Sequence, residues 1–174
     1  MLQSLLTIFL WLAVPANCAP GVLRNRDPVS PRQPLHQRVS PATVITLQRT
    51  ECFGTCPVYK LTIFADGTVL YEGIRHIKKK GKAKSRITRA KLEDLIEEFD
   101  NIYYFNLRDA YIPGSDDCPQ SATDNPSAIT SLTRNGKTKN INHYHGCRGL
   151  DTLELLTKLE DKIDEAVNVN RWIK

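Results

Sequence analysis

From Thr43 onward the apolar residues fall into periods. Ile45 and Leu47 alternate with Thr46 and Gln48, as in a half-buried strand. Tyr59, Leu61 and Ile63 alternate with Lys60 and Thr62. Asp66-Gly67 then separates that run from Thr68-Val69-Leu70-Tyr71. Glycine takes positive φ at little cost, so this dipeptide predicts a hairpin with a type I′ turn. The stretch from Ile74 to Ile87, interrupted by Gly81, predicts a second and more exposed hairpin. After Thr88, a candidate N-cap, the period changes. Leu92, Leu95, Ile96 and Phe99 fall at i, i+3, i+4 and i+7, one face of a helix. Residues 106–126 carry the turn punctuation Pro113-Gly114, Asp116-Asp117, Pro119 and Asn125-Pro126 and predict loop. Ser127–Arg134 and Lys137–Tyr144 flank Asn135-Gly136, another hairpin signal. Asp151 opens a second helix, with Glu154 three residues on in a variant of the capping box. Leu156, Leu159, Ile163 and Val167 supply its apolar stripe, and Trp172 and Ile173 close the chain against the core.

This order of elements predicts an α+β fold over residues 43–174. The expected architecture is a single antiparallel sheet of about five or six strands, built from hairpins, with two helices packed on one face.

The first 42 residues follow a different pattern. An apolar run from Leu5 to Val14 has the length of a signal-peptide core and is too short to span a bilayer. Pro15 and the small residues Ala16, Cys18 and Ala19 follow it, although no Lys or Arg precedes it. Residues 1–18 therefore read as a signal peptide, which directs the chain to the periplasm or the exterior. Residues 19–42 carry five prolines and four arginines against Asp27 alone, with no apolar period, and read as a disordered Pro/Arg-rich linker.

The five cysteines sharpen this picture. An odd number suits an oxidising compartment poorly, and removal of Cys18 with the signal leaves Cys52, Cys56, Cys118 and Cys147. Lipoprotein anchoring at Cys18 is the weaker alternative, because Asn17 is bulky for that cleavage. Four cysteines allow three pairings. The expected one joins Cys52 to Cys56 and Cys118 to Cys147, stapling a loop between two strands and tying the acidic loop to the last strand.

Charge is segregated. The net formal charge is +5, yet nine basic residues stand between Ile74 and Lys91 with no acidic residue among them. Arg75, Lys78, Lys79, Lys80, Lys82, Lys84 and Arg86 make a candidate anion-binding patch. Lipid headgroups, cell-wall polymers and glycans are the anionic surfaces it suits. An exported chain without aromatic stacking residues in the patch is not expected to bind nucleic acid. The plainer reading is a solvated hairpin whose lysines keep a sheet edge from pairing.

Thr50–Gly73 reads TECFGTCPVYKLTIFADGTVLYEG. It resembles domain-of-unknown-function family 6438, exported bacterial domains marked by Cys-Phe-Gly-x-Cys-Pro-x-Tyr and then Asp-Gly-x-Val-x-Tyr-x-Gly. The matching positions here are Cys52, Phe53, Gly54, Cys56, Pro57 and Tyr59, then Asp66, Gly67, Val69, Tyr71 and Gly73. His143-Tyr144-His145-Gly146-Cys147 and Arg171-Trp172-Ile173 also fit, so the resemblance covers about 44–173. The Lys-rich stretch around 78–84 departs from it. The resemblance implies an exported α+β domain and no assigned activity.

No nucleophile elbow, HExxH, P-loop or dinucleotide motif is present, so no catalytic residues are assigned. The expectation is a non-catalytic binding module without a cofactor, its partner another exported protein or an anionic surface. The alternative is thiol redox chemistry or copper or zinc handling through the Cys-x-x-x-Cys-Pro run, which is similar to the copper site of Sco-type chaperones. Its candidate ligands are Cys52, Cys56 and the pair His143 and His145, which share one strand face at i and i+2. No thioredoxin-like βαβ pattern accompanies them. His36 and His76 have no visible partner.

Overall fold

In the computed structural model, residues 40–174 are described. The signal peptide, Cys18 and nearly all of the Pro/Arg-rich linker lie outside them. The strands are β1 (Val44–Arg49), β2 (Val58–Phe64), β3 (Thr68–Arg75), β4 (Gly81–Arg86), β5 (Ala110–Tyr111), β6 (Gln120–Ser121), β7 (Ser127–Arg134), β8 (Lys137–Tyr144) and β9 (Cys147–Arg148). The helices are α1 (Arg89–Asn101), α2 (Asp151–Val167) and the short α3 (Asn170–Ile173). The architecture is α+β, as expected, but the main sheet has seven strands rather than five or six, in the order β4-β3-β2-β1-β7-β8-β5. All its pairs are antiparallel except β5 with β8.

The seventh strand comes from the segment read as loop. Ala110-Tyr111 is too short to show a period, yet it pairs beside Asn142 and His143. Gln120-Ser121 likewise pairs with Cys147-Arg148 in a separate two-stranded ribbon. Both pairings depend on partners distant in sequence, which no local pattern reports.

Alternation places one sheet face in the core. Ile45 and Leu47 on β1, Leu61 and Ile63 on β2, Val69 and Tyr71 on β3, Leu132 on β7 and Ile141 on β8 are all buried. Leu92, Leu95, Ile96 and Phe99 of α1 join them in one cluster, together with Leu156, Leu159, Ile163 and Val167 of α2. α1 begins as expected, with the Thr88 side chain accepting from the Lys91 backbone N–H. α2 does not use a capping box. Leu150 is its N-cap and no side chain caps it. Asp151 and Glu154 instead lie inside the first turn, where carboxylates complement the helix dipole.

The turns divide in the same way. Asn135 and Gly136 both have positive φ, 53° and 74°, as a type I′ hairpin needs. At Asp66-Gly67 only Gly67 does, at 80°. The Gly67 N–H donates to Phe64 O, giving a three-residue loop rather than the type I′ turn expected. Ile74–Ile87 is not a separate hairpin either. β3 runs through Arg75 and β4 pairs back along it, extending the meander. A Cβ at Gly73 would lie 2.1 Å from Lys79 O, so glycine is required where this turn folds over the sheet. The turn is fixed from below as well. The Lys79 N–H donates to Trp172 O, and Tyr71 Oη donates to Lys79 O. Trp172 stacks on Tyr71 with centroids 4.5 Å apart, so the chain's end docks where expected.

Candidate functional site

The sheet register assembles a polar row at one end of the buried face. Arg49 on β1 pairs with Tyr59 on β2 and with Ala128 on β7. Ala128 pairs with His143 on β8, and His143 lies beside Tyr111 on β5. Arg49 continues the inward phase of Ile45 and Leu47, and His143 that of Ile141. Helix α2 lies across this row. Glu160 occupies its apolar stripe, four residues after Leu156 and three before Ile163, and Asp164 follows one turn later.

Glu160 is fully buried. Its Oε1 lies 2.8 Å from His143 Nδ1 and its Oε2 lies 2.7 Å from His145 Nε2. Arg49 Nη1 donates to Oε2 at 3.2 Å. Burial raises the Glu160 carboxyl, but the hydrogen bonds and charges of the two histidines outweigh it and hold the group below its ordinary range. As a carboxylate it only accepts, so the ring protons sit on His143 Nδ1 and His145 Nε2. The two rings stack with centroids 4.7 Å apart.

Arg49 is held mainly by other carboxylates. Its Nε and Nη2 donate to Asp164 Oδ2 at 3.2 and 2.9 Å, and Nη2 reaches Asp161 at 3.2 Å. Tyr59 Oη donates to the second Asp164 oxygen at 2.7 Å. Burial raises the Asp164 carboxyl, with Arg49 and Tyr59 opposing. Burial also raises the Tyr59 hydroxyl, so it stays a donor.

The histidine end of the cluster opens on a cleft of about 620 Å³. His143, His145, Cys147, Arg148 and the first turns of α2 line it. Cys147 is bonded to Cys118, and Cys52 to Cys56. The Cys52–Cys56 ring closes the β1–β2 loop and displays Phe53, which is 88% exposed. Its sulfurs are bonded to each other, and the histidines are met by Glu160 instead. Of the alternative ligand set Cys52, Cys56, His143 and His145, the fold brings the two histidines together with Glu160 and bonds the two cysteines to each other. The basic patch stands elsewhere. Arg75, Lys78, Lys79, Lys80, Lys82, Lys84 and Arg86 are all exposed along the β3–β4 hairpin, and among the described residues β4 is an edge strand of the sheet.

The domain-of-unknown-function model DUF6438 matches residues 43–167. The chain belongs to this family. No curated protein matches it. In this DUF6438 domain, Tyr59 lies within the family-like motif, whereas Arg49, Glu160, Asp161 and Asp164 escaped the reading of the sequence. A signal for two of them was present: Arg49 is a charge in the inward phase of a strand, and Glu160 a charge inside a helix's apolar stripe.

The cluster has a consequence for stability. A carboxyl depressed by folding contributes fully above its unfolded pKa, near 4.5 for Glu160, and the contribution is lost as pH falls through the folded value. Asp164 acts oppositely, because a raised carboxyl favours folding only while protonated. Below about pH 4.5 the wild-type urea midpoint falls through Glu160. The profile of Glu160→Gln is flatter there and that of Asp164→Asn steeper. Parallel profiles for all three proteins would disprove this assignment.

Proposed function

We propose that this DUF6438 chain is an exported, non-catalytic binding module whose β3–β4 hairpin docks on an anionic surface. A cleaved signal peptide and a Pro/Arg linker carry the domain out of the cytoplasm. Two disulfides suit an oxidising destination. Among the described residues no helix is long and apolar enough to cross a membrane.

The observation that supports this reading is the way the hairpin is held. Lys82, Lys84 and Arg86 project from the same face of the edge strand, and Lys78, Lys79 and Lys80 crown its turn. Arg75 is paired to Glu51 at 2.8 Å and Arg86 lies 3.6 Å from Asp66. None of the five lysines is in a salt bridge among the described residues, although Lys82 stands opposite Glu72 across the strand pair and Lys84 lowers the Asp66 carboxyl. The backbone beneath them is pinned by Trp172, Tyr71 and the half-buried Ile77. A solvated edge guard needs a few lysines. A run of five on an anchored turn presents a fixed array of charge, and little ordering is left to pay for on binding.

Vesicles of phosphatidylglycerol in phosphatidylcholine test the idea by co-sedimentation. Each surface lysine contributes about 1 kcal/mol to such contacts. The triple variant Lys78→Ala, Lys82→Ala, Lys84→Ala is expected to bind roughly 100-fold more weakly, and added salt to release the wild type. Equal partition onto pure phosphatidylcholine, or an unchanged triple variant, would end this reading.

A further inference from the structure

We propose that His143, His145 and Glu160 form a binding site for one divalent transition-metal ion of the zinc type, reached through the cleft beside helix α2.

The ligand atoms are already gathered. One nitrogen from each histidine and one Glu160 oxygen lie within 4.8 Å of one another. Two imidazoles and a carboxylate are a zinc ligand set, and both histidines line the cleft with the buried Glu160 behind them. Adjacent ligands on a tetrahedral ion with bonds near 2.0–2.1 Å stand about 3.3 Å apart. His143 Nδ1 stands 2.8 Å from Oε1 and His145 Nε2 stands 2.7 Å from Oε2, each about half an ångström short of that and on a different oxygen, so an ion bound there displaces both hydrogen bonds. A small rotation of the half-buried His145 and a slight withdrawal of His143 open the space.

The charges are out of balance without an ion. Glu160, Asp161 and Asp164 carry three negative charges, and among the described residues Arg49 is the cation in salt-bridge contact with all three. Tyr59 is a neutral donor to Asp164. At the cleft mouth Arg148 faces Asp151 and Glu154, which leaves a further net negative charge. With neutral imidazoles the buried Glu160 and Asp164 outnumber Arg49 by one charge, and the exposed Asp161 adds a second beside them. A divalent ion held by the two imidazoles and Glu160 offsets that negative charge. When the ion enters, each ring proton facing Glu160 moves to the other ring nitrogen or to solvent.

Arg49 does not block this exchange. Its Nη1 lies 3.3 Å from His145 Nε2 and must give way, but Nε and Nη2 stay on Asp164 and Asp161. The guanidinium keeps three contacts while releasing Glu160. This ligand set needs no thiolate, so it works with both disulfides closed.

Zinc titration of the full chain with its disulfides intact tests the site. One ion per chain is expected. Zinc-edge X-ray absorption of that complex should show nitrogen and oxygen ligands near 2.0–2.1 Å, imidazole scattering and no sulfur. His145→Gln should weaken binding at least 10-fold, and His76→Gln should leave it unchanged. If His145→Gln does not fold, the absorption spectrum of the wild type decides. Absence of bound zinc, sulfur in the first coordination sphere, or affinity unchanged in a folded His145→Gln protein would overturn the proposal. Copper(II) in competition with zinc is expected to occupy the same nitrogens, following the general order of divalent affinities.

Discussion

Replacing Glu160 with alanine is expected to destabilise the domain by about 3–5 kcal/mol, the cost of removing one partner from a buried ion pair. The reason lies in what stays behind. His143 Nδ1, His145 Nε2 and Arg49 Nη1 all point at the carboxylate. Without it three donors face an apolar helix stripe, and the positive charge near them loses a counter-ion. A domain of this size has about 5–15 kcal/mol in total, so the variant stands close to unfolding at ordinary temperature. Glu160→Gln keeps one acceptor oxygen and should lose less. Asp161→Ala, at an exposed side chain that Arg49 can forgo, should stay within about 0.5 kcal/mol. Urea midpoints at neutral pH with an unchanged slope measure all three. A loss below about 1 kcal/mol for Glu160→Ala would mean that the cluster is not a structural keystone.

The second large effect concerns the disulfides, which are unequal. Cys118–Cys147 closes a separation of 29 residues and Cys52–Cys56 one of 4. Loop-closure entropy assigns about 3.5 kcal/mol to the longer ring and about 2 to the shorter. The longer bond is also buried, and Cys147 belongs to the ribbon that borders the histidine cleft. Loss of that bond should therefore loosen the cleft as well as the fold. Cys118→Ser with Cys147→Ser is expected to lower stability by about 3–4 kcal/mol, nearly twice the loss from Cys52→Ser with Cys56→Ser. Both cysteines of the shorter ring are partly exposed, so limited reductant should open that ring first. Mass spectrometry after alkylation of partly reduced protein reads the order. Simultaneous opening of the two bonds would contradict the difference in burial.

The two effects act on different links of the fold. The disulfides limit the unfolded chain, whereas Glu160 acts in the folded state by filling a polar hole in an apolar interface. The basic hairpin is independent of both. Its edge strand β4 stands at the far side of the sheet, with four strands between it and the β8 strand of His143. Its charge should be removable with little effect on stability, which lets the binding test and the stability tests be read separately.

Local patterns carried much of this protein. Alternation marked β1, β2 and β3, the 3.6-residue period marked α1 and α2, and Asn135-Gly136 marked the β7–β8 hairpin. These features rest on contacts within a few residues, which a chain displays in its own order. The family-like motif around Cys52 and Tyr59 was likewise visible in one stretch, and the family it suggested is the one that matches. The seven-strand order, the parallel β5 and the β6–β9 ribbon were not legible, because strands of two residues have no period of their own. The histidine–carboxylate cluster was legible only in fragments. Arg49 and Glu160 are 111 residues apart, and His143 and Glu160 are 17 apart on different elements. Each looked like a surface charge or a half-exposed strand residue by itself. Only the pairing register of β1, β7 and β8, with α2 laid across it, turns those side chains toward one another. Burial then changes their chemistry, since a charge removed from water must find its partners inside the fold.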